Sequence, residues 1–243
     1  MAALIGPNGS GKTTTLRLIS GVLHPERGGV RLRGRELLSL RRREIARETA
    51  VVPQILEVPY ALSVREMVML GRTPHVSPWR NPSAQDAAVV NAVMARVGIA
   101  DLAERLFPDL SGGERQKAII AMALAQEPRL LLLDEPTAHL DIHHQLAIMD
   151  TVFELQREQG LTVLAAMHDL NLASLYFDRL ILLNQGRIVV DGPPQAVIRE
   201  EVLREAFGAR VRVRRHPLRD RPQVVLLPSD GAEAAAERRF AKA

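Results

Sequence analysis

The chain has 243 residues, 47% of them hydrophobic, and its net charge of +4 is modest, so it can bury the core of one large domain with or without a small appendage. It contains no cysteine, which excludes structural disulfides and the common zinc sites built on cysteine. It has no apolar run near the ~20 residues that span a bilayer and no signal peptide at its start, so we expect a cytoplasmic protein.

A glycine-rich loop follows the first predicted strand, Ala2–Ile5. It reads Gly-Pro-Asn-Gly-Ser-Gly-Lys-Thr-Thr and fits the phosphate-binding pattern Gly-x4-Gly-Lys-Ser/Thr. Glycines let the backbone curl round a triphosphate with its N–H groups inward, and the helix predicted over Lys12–Ser20 adds the positive end of its dipole. The residues expected to contact the nucleotide are Gly6, Pro7, Asn8, Gly9, Ser10, Gly11, Lys12, Thr13 and Thr14.

Two side chains of this loop have separate expected roles. Lys12 would reach the β and γ phosphates, and the Thr13 hydroxyl would hold Mg²⁺. Of the 32 basic residues only three are lysines, so the rarer, slimmer cation stands where a compact ammonium suits the site. This favours a nucleoside triphosphate site over an ordinary glycine-rich turn before a helix.

The next segment begins with a mixed-charge stretch and continues with predicted helices. Arginines are dense over residues 27–47 but alternate with glutamates, which is typical of a solvated surface. A short strand, Val51–Pro53, then ends at Gln54. Capping residues Ser63 and Ser83 begin two helices, ending near Leu70 and Gly98, so we predict a helical subdomain over approximately residues 55–125, inserted into the sheet.

A third helix, from about Gly112 to Gln126, is opened by the segment Leu110, Ser111, Gly112, Gly113 and Glu114. The two glycines permit close approach of the backbone, and the helix N-terminus offers N–H groups to an anion. From these residues alone the segment is either a second phosphate-binding surface or a helix start capped by Ser111.

Two acids follow the predicted buried strand Leu130–Leu133. Asp134 at the strand tip suits Mg²⁺, because the sheet would fix it beside the phosphate loop, and Glu135 suits polarising a water for attack on the γ phosphate. A core strand that merely runs into a polar turn is the alternative, and Lys12 weighs against it. The pattern predicts a nucleoside triphosphatase.

The remaining elements complete an α/β alternation: a helix Ile142–Gln159, a strand Thr162–Met167 and a hairpin of Arg179–Asn184 with Arg187–Asp191. We therefore predict a mostly parallel sheet flanked by helices. Residues 193–228 are expected to add an appendage of one small helix and two short strands, followed by a disordered tail, 229–243. The arginine-rich run near Val211 alternates like a half-exposed strand and lacks aromatics for stacking on bases.

Together these motifs resemble the ATP-binding cassette family, whose signature is similar to Leu110–Glu114. The resemblance implies a P-loop NTPase domain over residues 1–228 and a head-to-tail homodimer, in which Ser111 of one chain covers the ATP held by Lys12 of the other. Gln54 resembles the glutamine that senses the γ phosphate, Asp141 the acid that communicates across the dimer, and His168 the histidine that clasps the γ phosphate. The implied Mg²⁺ ligands are Thr13, Gln54 and Asp134. The histidines 139, 143 and 144 suggest a surface or an interface rather than a metal cluster.

Within the family, Met69–His75 and Met167–Ala173 are similar to the importer branch for haem, ferric siderophores or cobalamin, and the carboxy end is most similar to haem importers. This implies the ATP-hydrolysing subunit of a bacterial importer, peripheral on the inner face of the cell membrane. Its partners would be integral membrane permease subunits, docked near Met67, Leu70 and Arg72, and a substrate-binding protein. The alternative is a soluble cassette ATPase acting on nucleic acid or ribosomes, and no nucleic acid is expected because zinc modules, a second cassette and a long coiled coil are missing.

Family members carry about thirty residues before the phosphate loop, with two or three strands and an aromatic that stacks on adenine. The resemblance therefore implies that the amino-terminal antiparallel strands are largely missing from this sequence. No residue here is assigned to the adenine ring. We expect either an in-frame continuation upstream of Met1 or a truncated chain.

Overall fold

The computed structural model describes residues 1–228 except 57, 59 and 78, so the predicted tail, 229–243, lies outside the described residues. The strands are β1 (Ala2–Ile5), β2 (Arg31–Leu32), β3 (Arg35–Glu36), β4 (Thr49–Val52), β5 (Leu130–Asp134), β6 (Thr162–Ala166), β7 (Arg179–Asn184), β8 (Arg187–Gly192), β9 (Val211–Arg215) and β10 (Pro222–Leu226). The helices are α1 (Lys12–Ile19), α2 (Arg42–Glu48), α3 (Val64–Met69), α4 (Ala84–Arg96), α5 (Gly112–Ala125), α6 (Ile142–Gln159), α7 (Leu170–Tyr176), α8 (Pro194–Val197) and α9 (Glu200–Phe207).

A six-stranded sheet in the order β4-β5-β6-β1-β7-β8 organises these elements. Every neighbouring pair is parallel except β7 and β8, which form the predicted antiparallel hairpin. Leu132 of β5 packs with Leu16 of α1 on one face, while Leu131 and Leu133 join the larger core on the other. Because both faces are covered, β5 is apolar throughout its first four residues. The predicted mostly parallel sheet flanked by helices is confirmed.

The carboxyl ends of β4, β5, β6 and β1 meet at one edge of this sheet because the four strands run in the same direction. The loops that leave these strands carry Gln54, the Asp134-Glu135 pair, His168 and the phosphate loop. The carboxyl edge of an open parallel sheet is where such folds bind ligands. The topology thus gathers residues that are far apart in the sequence.

The predicted helices between β4 and β5 are present, and α3, α4 and α5 pack against one another. Ser63 caps α3, and its N–H donates in return to Glu66 Oε2 at 2.8 Å. Ser83 caps α4 in the same way with Asp86. The helix starts follow the sequence prediction because each cap is a short-range hydrogen-bond pattern.

A buried arginine, expected from the sequence to lie near a docking surface, joins these helices. Arg72 is 5% exposed; its Nε donates to Asp86 Oδ1 at 2.9 Å and its Nη1 to the carbonyl of Ala125 at 2.7 Å. Nη1 also reaches Glu127 Oε2 at 2.6 Å. Hydrogen bonds from Ser83, followed by the contact with Arg72, lower the pKa of Asp86 to about 2. Asp86 therefore stays ionised at neutral pH.

We expect Arg72→Met to lower the free energy of unfolding by about 3 kcal/mol, because it leaves the Asp86 carboxylate and the Ala125 carbonyl without a buried partner. The loss is at the low end for a broken buried pair since Ser83 still bonds Asp86. Urea unfolding measures the change. The matched control is Arg65→Met, which removes an ion pair with the exposed Glu104 and an exposed hydrogen bond to Asn91 and should cost less than about 1 kcal/mol. Equal losses in the two variants would contradict the role of Arg72.

Some elements escaped prediction. The arginine-dense stretch forms the small β2-β3 hairpin and α2. Helix α2 buries no residue, so its sequence shows no apolar periodicity from which a helix could be predicted. Its ion pairs Arg31–Glu36 and Arg35–Glu44 fit the expected mixed-charge surface. Helix α7 is short and begins two residues after His168. The carboxy-terminal part holds two helices, α8 and α9, where one was expected.

Candidate functional site

The phosphate loop needs glycine at two positions. Gly6 has a φ of +149°, and a Cβ there would lie 2.1 Å from the carbonyl oxygen of Leu183, so the loop presses against the end of β7. Gly11 begins α1 with a φ of +102° and contributes no capping side chain. The first N–H groups of α1 are therefore open to an anion.

Lys12 lies across this loop. It is only 5% exposed, and its Nζ donates to the carbonyls of Gly6 at 2.8 Å and Pro7 at 3.2 Å. Burial lowers the pKa of Lys12, and the carboxylates of Glu135 and Asp134 oppose that effect. Beside it the Ser10 hydroxyl is buried with no hydrogen-bond partner among the described residues. A buried cation and a free hydroxyl facing a glycine-rich loop suit a phosphate chain.

Thr13 and Asp134 form a direct pair between α1 and β5. The Thr13 hydroxyl donates to Asp134 Oδ1 at 3.0 Å. Burial raises the pKa of Asp134, the hydrogen bond from Thr13 opposes this, and the charge of Glu135 adds to it. Arg17, which sequence reasoning missed, also acts on Asp134 electrostatically from the same helix face. Hydroxyl and carboxylate oxygens of this kind are the ligands that Mg²⁺ accepts.

Glu135 is held in an unusual backbone conformation, with a φ of +52°. Its N–H donates to the carbonyl of Ala166 at 3.1 Å, which anchors the residue to β6. Gln54 Nε2 donates to Glu135 Oε2 at 2.7 Å, and His168 Nε2 contacts Glu135 Oε1. A left-handed conformation is uncommon for a residue with a side chain, and here it aims the carboxylate between the ends of β4 and β6.

The expected signature segment forms a second group. Ser111 caps α5, and its N–H and hydroxyl donate to Glu114 Oε2 at 2.8 and 2.7 Å. Gly113 is buried against the ring of His144, where a Cβ would lie 1.9 Å from Cδ2. Leu110 is buried behind it. Ser111 is thus a helix cap, and the glycine that follows it by two positions allows close packing on α6.

Asp141 joins this second group through the same histidine. It caps α6 by accepting from His144 N–H at 2.9 Å, and its carboxylate also contacts His144 Nδ1 at 2.9 Å. His144 was expected to lie at a surface or an interface; its position three residues after Asp141 is the sequence signal that marks the contact. Among the described residues, hydrogen bonds link the members of each group, and none joins Ser111 or Asp141 to the phosphate loop.

Histidines 139, 143 and 144 lie at or near the start of α6. Within residues 1–228, apart from the three undescribed positions, no three His, Cys, Asp or Glu side chains are arranged to hold a metal ion. His143 and His144 instead make an edge-to-face ring contact at 5.5 Å.

None of the described helices is both long enough and apolar enough to cross a membrane.

Comparison with known proteins finds the chain similar to ABC transporter proteins. The family model described as ABC transporter matches residues 1–138. The cobalamin import ATP-binding protein of Halobacterium salinarum is 41% identical over 237 residues, 98% of this chain, and this chain spans 59% of that relative's length. The ferric enterobactin transport ATP-binding protein of Escherichia coli is 40% identical, covering 93% of this chain and 83% of the relative. The hemin import ATP-binding protein of Gloeobacter violaceus is 42% identical, covering 93% and 84%.

Similar solved structures are also described as ABC transporters or ATP-binding cassettes. A structure described as an inward-facing metal-chelate type ABC transporter matches with a TM-score of 0.83 and 29% identity, covering 94% of this chain and 87% of that one. A dimeric ATP-binding cassette in a post-hydrolysis state, bound to ADP and Pi, matches with a TM-score of 0.69 and 28% identity, covering 79% and 84%.

Proposed function

Because the chain belongs to the ABC transporter family, we propose that it is the ATP-hydrolysing subunit of an importer for a metal chelate: haem, a ferric siderophore or cobalamin. One observation carries the proposal. The Glu135 carboxylate is held by Gln54 and His168 beside the Thr13–Asp134 pair, which is an arrangement for in-line attack of water on a γ phosphate. The reported relatives are import or transport ATP-binding proteins, so the alternative of a nucleic-acid or ribosome ATPase has no support.

Each side chain then has a defined part in hydrolysis. Lys12 neutralises charge on the β and γ phosphates, and the open N–H groups of α1 bind the same phosphates. Glu135 accepts a proton from the attacking water, with Gln54 and His168 fixing its two oxygens. Mg²⁺, when bound, would neutralise charge on the phosphate oxygens; Thr13, Asp134 and Gln54 are the residues that would hold it.

The second group of residues requires a second chain in this proposal. Ser111 and Gly112 start a helix whose N–H groups suit an anion, yet no described hydrogen bond joins them to the phosphate loop of their own chain. In a head-to-tail homodimer they cover the ATP of the partner, and the dimeric cassette among the structural relatives supports this arrangement. His144 links Gly113 to Asp141, which suits Asp141 for communication across the dimer.

The permease would dock on the segment that follows Gln54. Met67 and Arg72, which were expected from the sequence to mark the docking patch, are buried. The prediction is therefore wrong for these two residues. Ile55, Tyr60 and Trp79 are 68%, 71% and 95% exposed and offer apolar surface instead. In this proposal residues 1–228 form the ATPase domain, 55–125 its helical part and 193–228 an appendage. The chain is peripheral on the inner face of the cell membrane, and integral membrane permease subunits and a substrate-binding protein complete the importer.

Deleting the gene tests the assignment. We expect uptake of one of haem, ferric siderophore or cobalamin to be lost, and a plasmid copy of the wild-type gene to restore it. A copy with Glu135→Gln is the matched control and should fail to restore uptake. If uptake of all three chelates survives the deletion, the importer assignment is wrong.

A further inference from the structure

The carboxy-terminal hairpin, β9 and β10, lies along helix α7. At the start of the helix the Asn171 side chain forms a two-point clamp on the backbone of Val224. Oδ1 accepts from Val224 N–H at 2.7 Å, and Nδ2 donates to the Val224 carbonyl at 3.2 Å. An amide side chain thereby satisfies both polar backbone groups of one strand residue, as a neighbouring strand would.

Two further contacts hold the hairpin to the rest of α7. The Ser174 hydroxyl, which is 1% exposed as a residue, donates to the carbonyl of Pro222 at 2.6 Å. Arg221 donates to the carbonyl of Phe177 at 3.2 Å and to Asp178 Oδ1 at 2.7 Å, just past the helix end. The hairpin is therefore tied to α7 at its start, its middle and its end.

The start of α7 leads directly to the site. His168 contacts Glu135, and the next residue, Asp169, caps α7 by accepting from the N–H groups of Asn171 and Leu172 at 2.7 and 2.9 Å. A helix of seven residues is too short to be stable by itself, so its position depends on what it packs against.

Packing alone does not fix this end of the helix. A cavity of about 210 Å³ opens between the start of α6, α7 and the hairpin, and Asn171 and Pro222 are among its lining residues. Where side chains do not fill the space, hydrogen bonds must set the distance between the hairpin and the helix. The Asn171 clamp is the contact nearest to His168 that does this.

We propose that Asn171 is a positioning residue for ATP hydrolysis: by clamping α7 to the carboxy-terminal hairpin it keeps His168 in contact with Glu135. This inference rests on the proposed function, because it assigns Asn171 a part in the same reaction. Displacing a group that orients the reacting atoms by about 1 Å lowers turnover with little effect on substrate binding.

Steady-state ATP hydrolysis by the full chain tests the proposal. We expect Asn171→Leu, which removes both hydrogen bonds, to lower kcat about tenfold with KM for ATP changed less than about twofold. Asn171→Asp keeps the acceptor for Val224 N–H and should give a smaller loss. Tyr176→Phe is the control, since it breaks the partly buried hydrogen bond from α7 to Asp150 on another face of the helix and should leave kcat unchanged.

A second comparison separates positioning from general destabilisation. In a His168→Ala background, Asn171→Leu should cause no further loss of the residual kcat, because its effect passes through His168. If the wild-type chain does not hydrolyse ATP, the proposed function fails and this inference with it. If the wild type is active and Asn171→Leu leaves kcat unchanged, or lowers it equally without His168, only the inference is wrong.

Discussion

Glu135→Gln is expected to lower kcat for ATP hydrolysis by a factor of about a hundred or more while leaving ATP binding in place. The amide has the same shape as the carboxylate but cannot accept a proton from water. Lys12 and the phosphate loop, which would provide the binding energy, make no hydrogen bond to the Glu135 side chain in the described structure.

Phosphate release gives kcat, and titration of a fluorescent ATP analogue gives the dissociation constant. Glu104→Gln is the matched control, since Glu104 is 80% exposed in its side chain and pairs only with Arg65 among the described ion pairs. It should leave both quantities unchanged. Near-normal turnover of Glu135→Gln would remove Glu135 from its proposed role.

The parts of the fold that sequence predicts well depend on short-range patterns. Several features can be recognised from a few consecutive residues: the phosphate loop, the capping residues Ser63 and Ser83, and the buried strand Leu130–Leu133. The alternation of strands and helices predicts a parallel sheet, and a parallel sheet brings its carboxyl ends together. Gln54, Glu135 and His168 meet for that reason, although the sequence spreads them over more than a hundred residues.

The parts that sequence reasoning missed depend on which distant elements become neighbours. Arg72 was expected near a docking surface, yet it is buried where α4 packs against α5. The clamp of Asn171 on Val224 joins residues 53 positions apart. The left-handed backbone of Glu135 follows from its bond to β6, not from its own propensity. None of these leaves a local pattern in the chain.

Lys12→Ala should act on binding where Glu135→Gln acts on turnover. We expect the dissociation constant for ATP to rise by a factor on the order of a hundred, because a buried cation facing the β and γ phosphates is lost. The same titration measures it. Lys12 also ties the loop through the carbonyls of Gly6 and Pro7, so circular dichroism must show that the variant is folded. Unchanged affinity in a folded variant would contradict a triphosphate site at this loop.

Mixing Lys12→Ala with a second variant decides whether two chains share each site. Gly112→Asp suits this test, because a Cβ at Gly112 meets only the end of Leu140, at 3.6 Å, and an acid is favourable in the first turn of α5. Its carboxylate would repel the triphosphate of the partner. Each variant alone should be inactive, since neither homodimer has an intact site. In an equimolar mixture about half the dimers pair the two variants and hold one intact site, so activity should recover to at most about a quarter of wild type. A mixture as inactive as its components would mean that Lys12 of one chain and Gly112 of the other do not serve the same ATP.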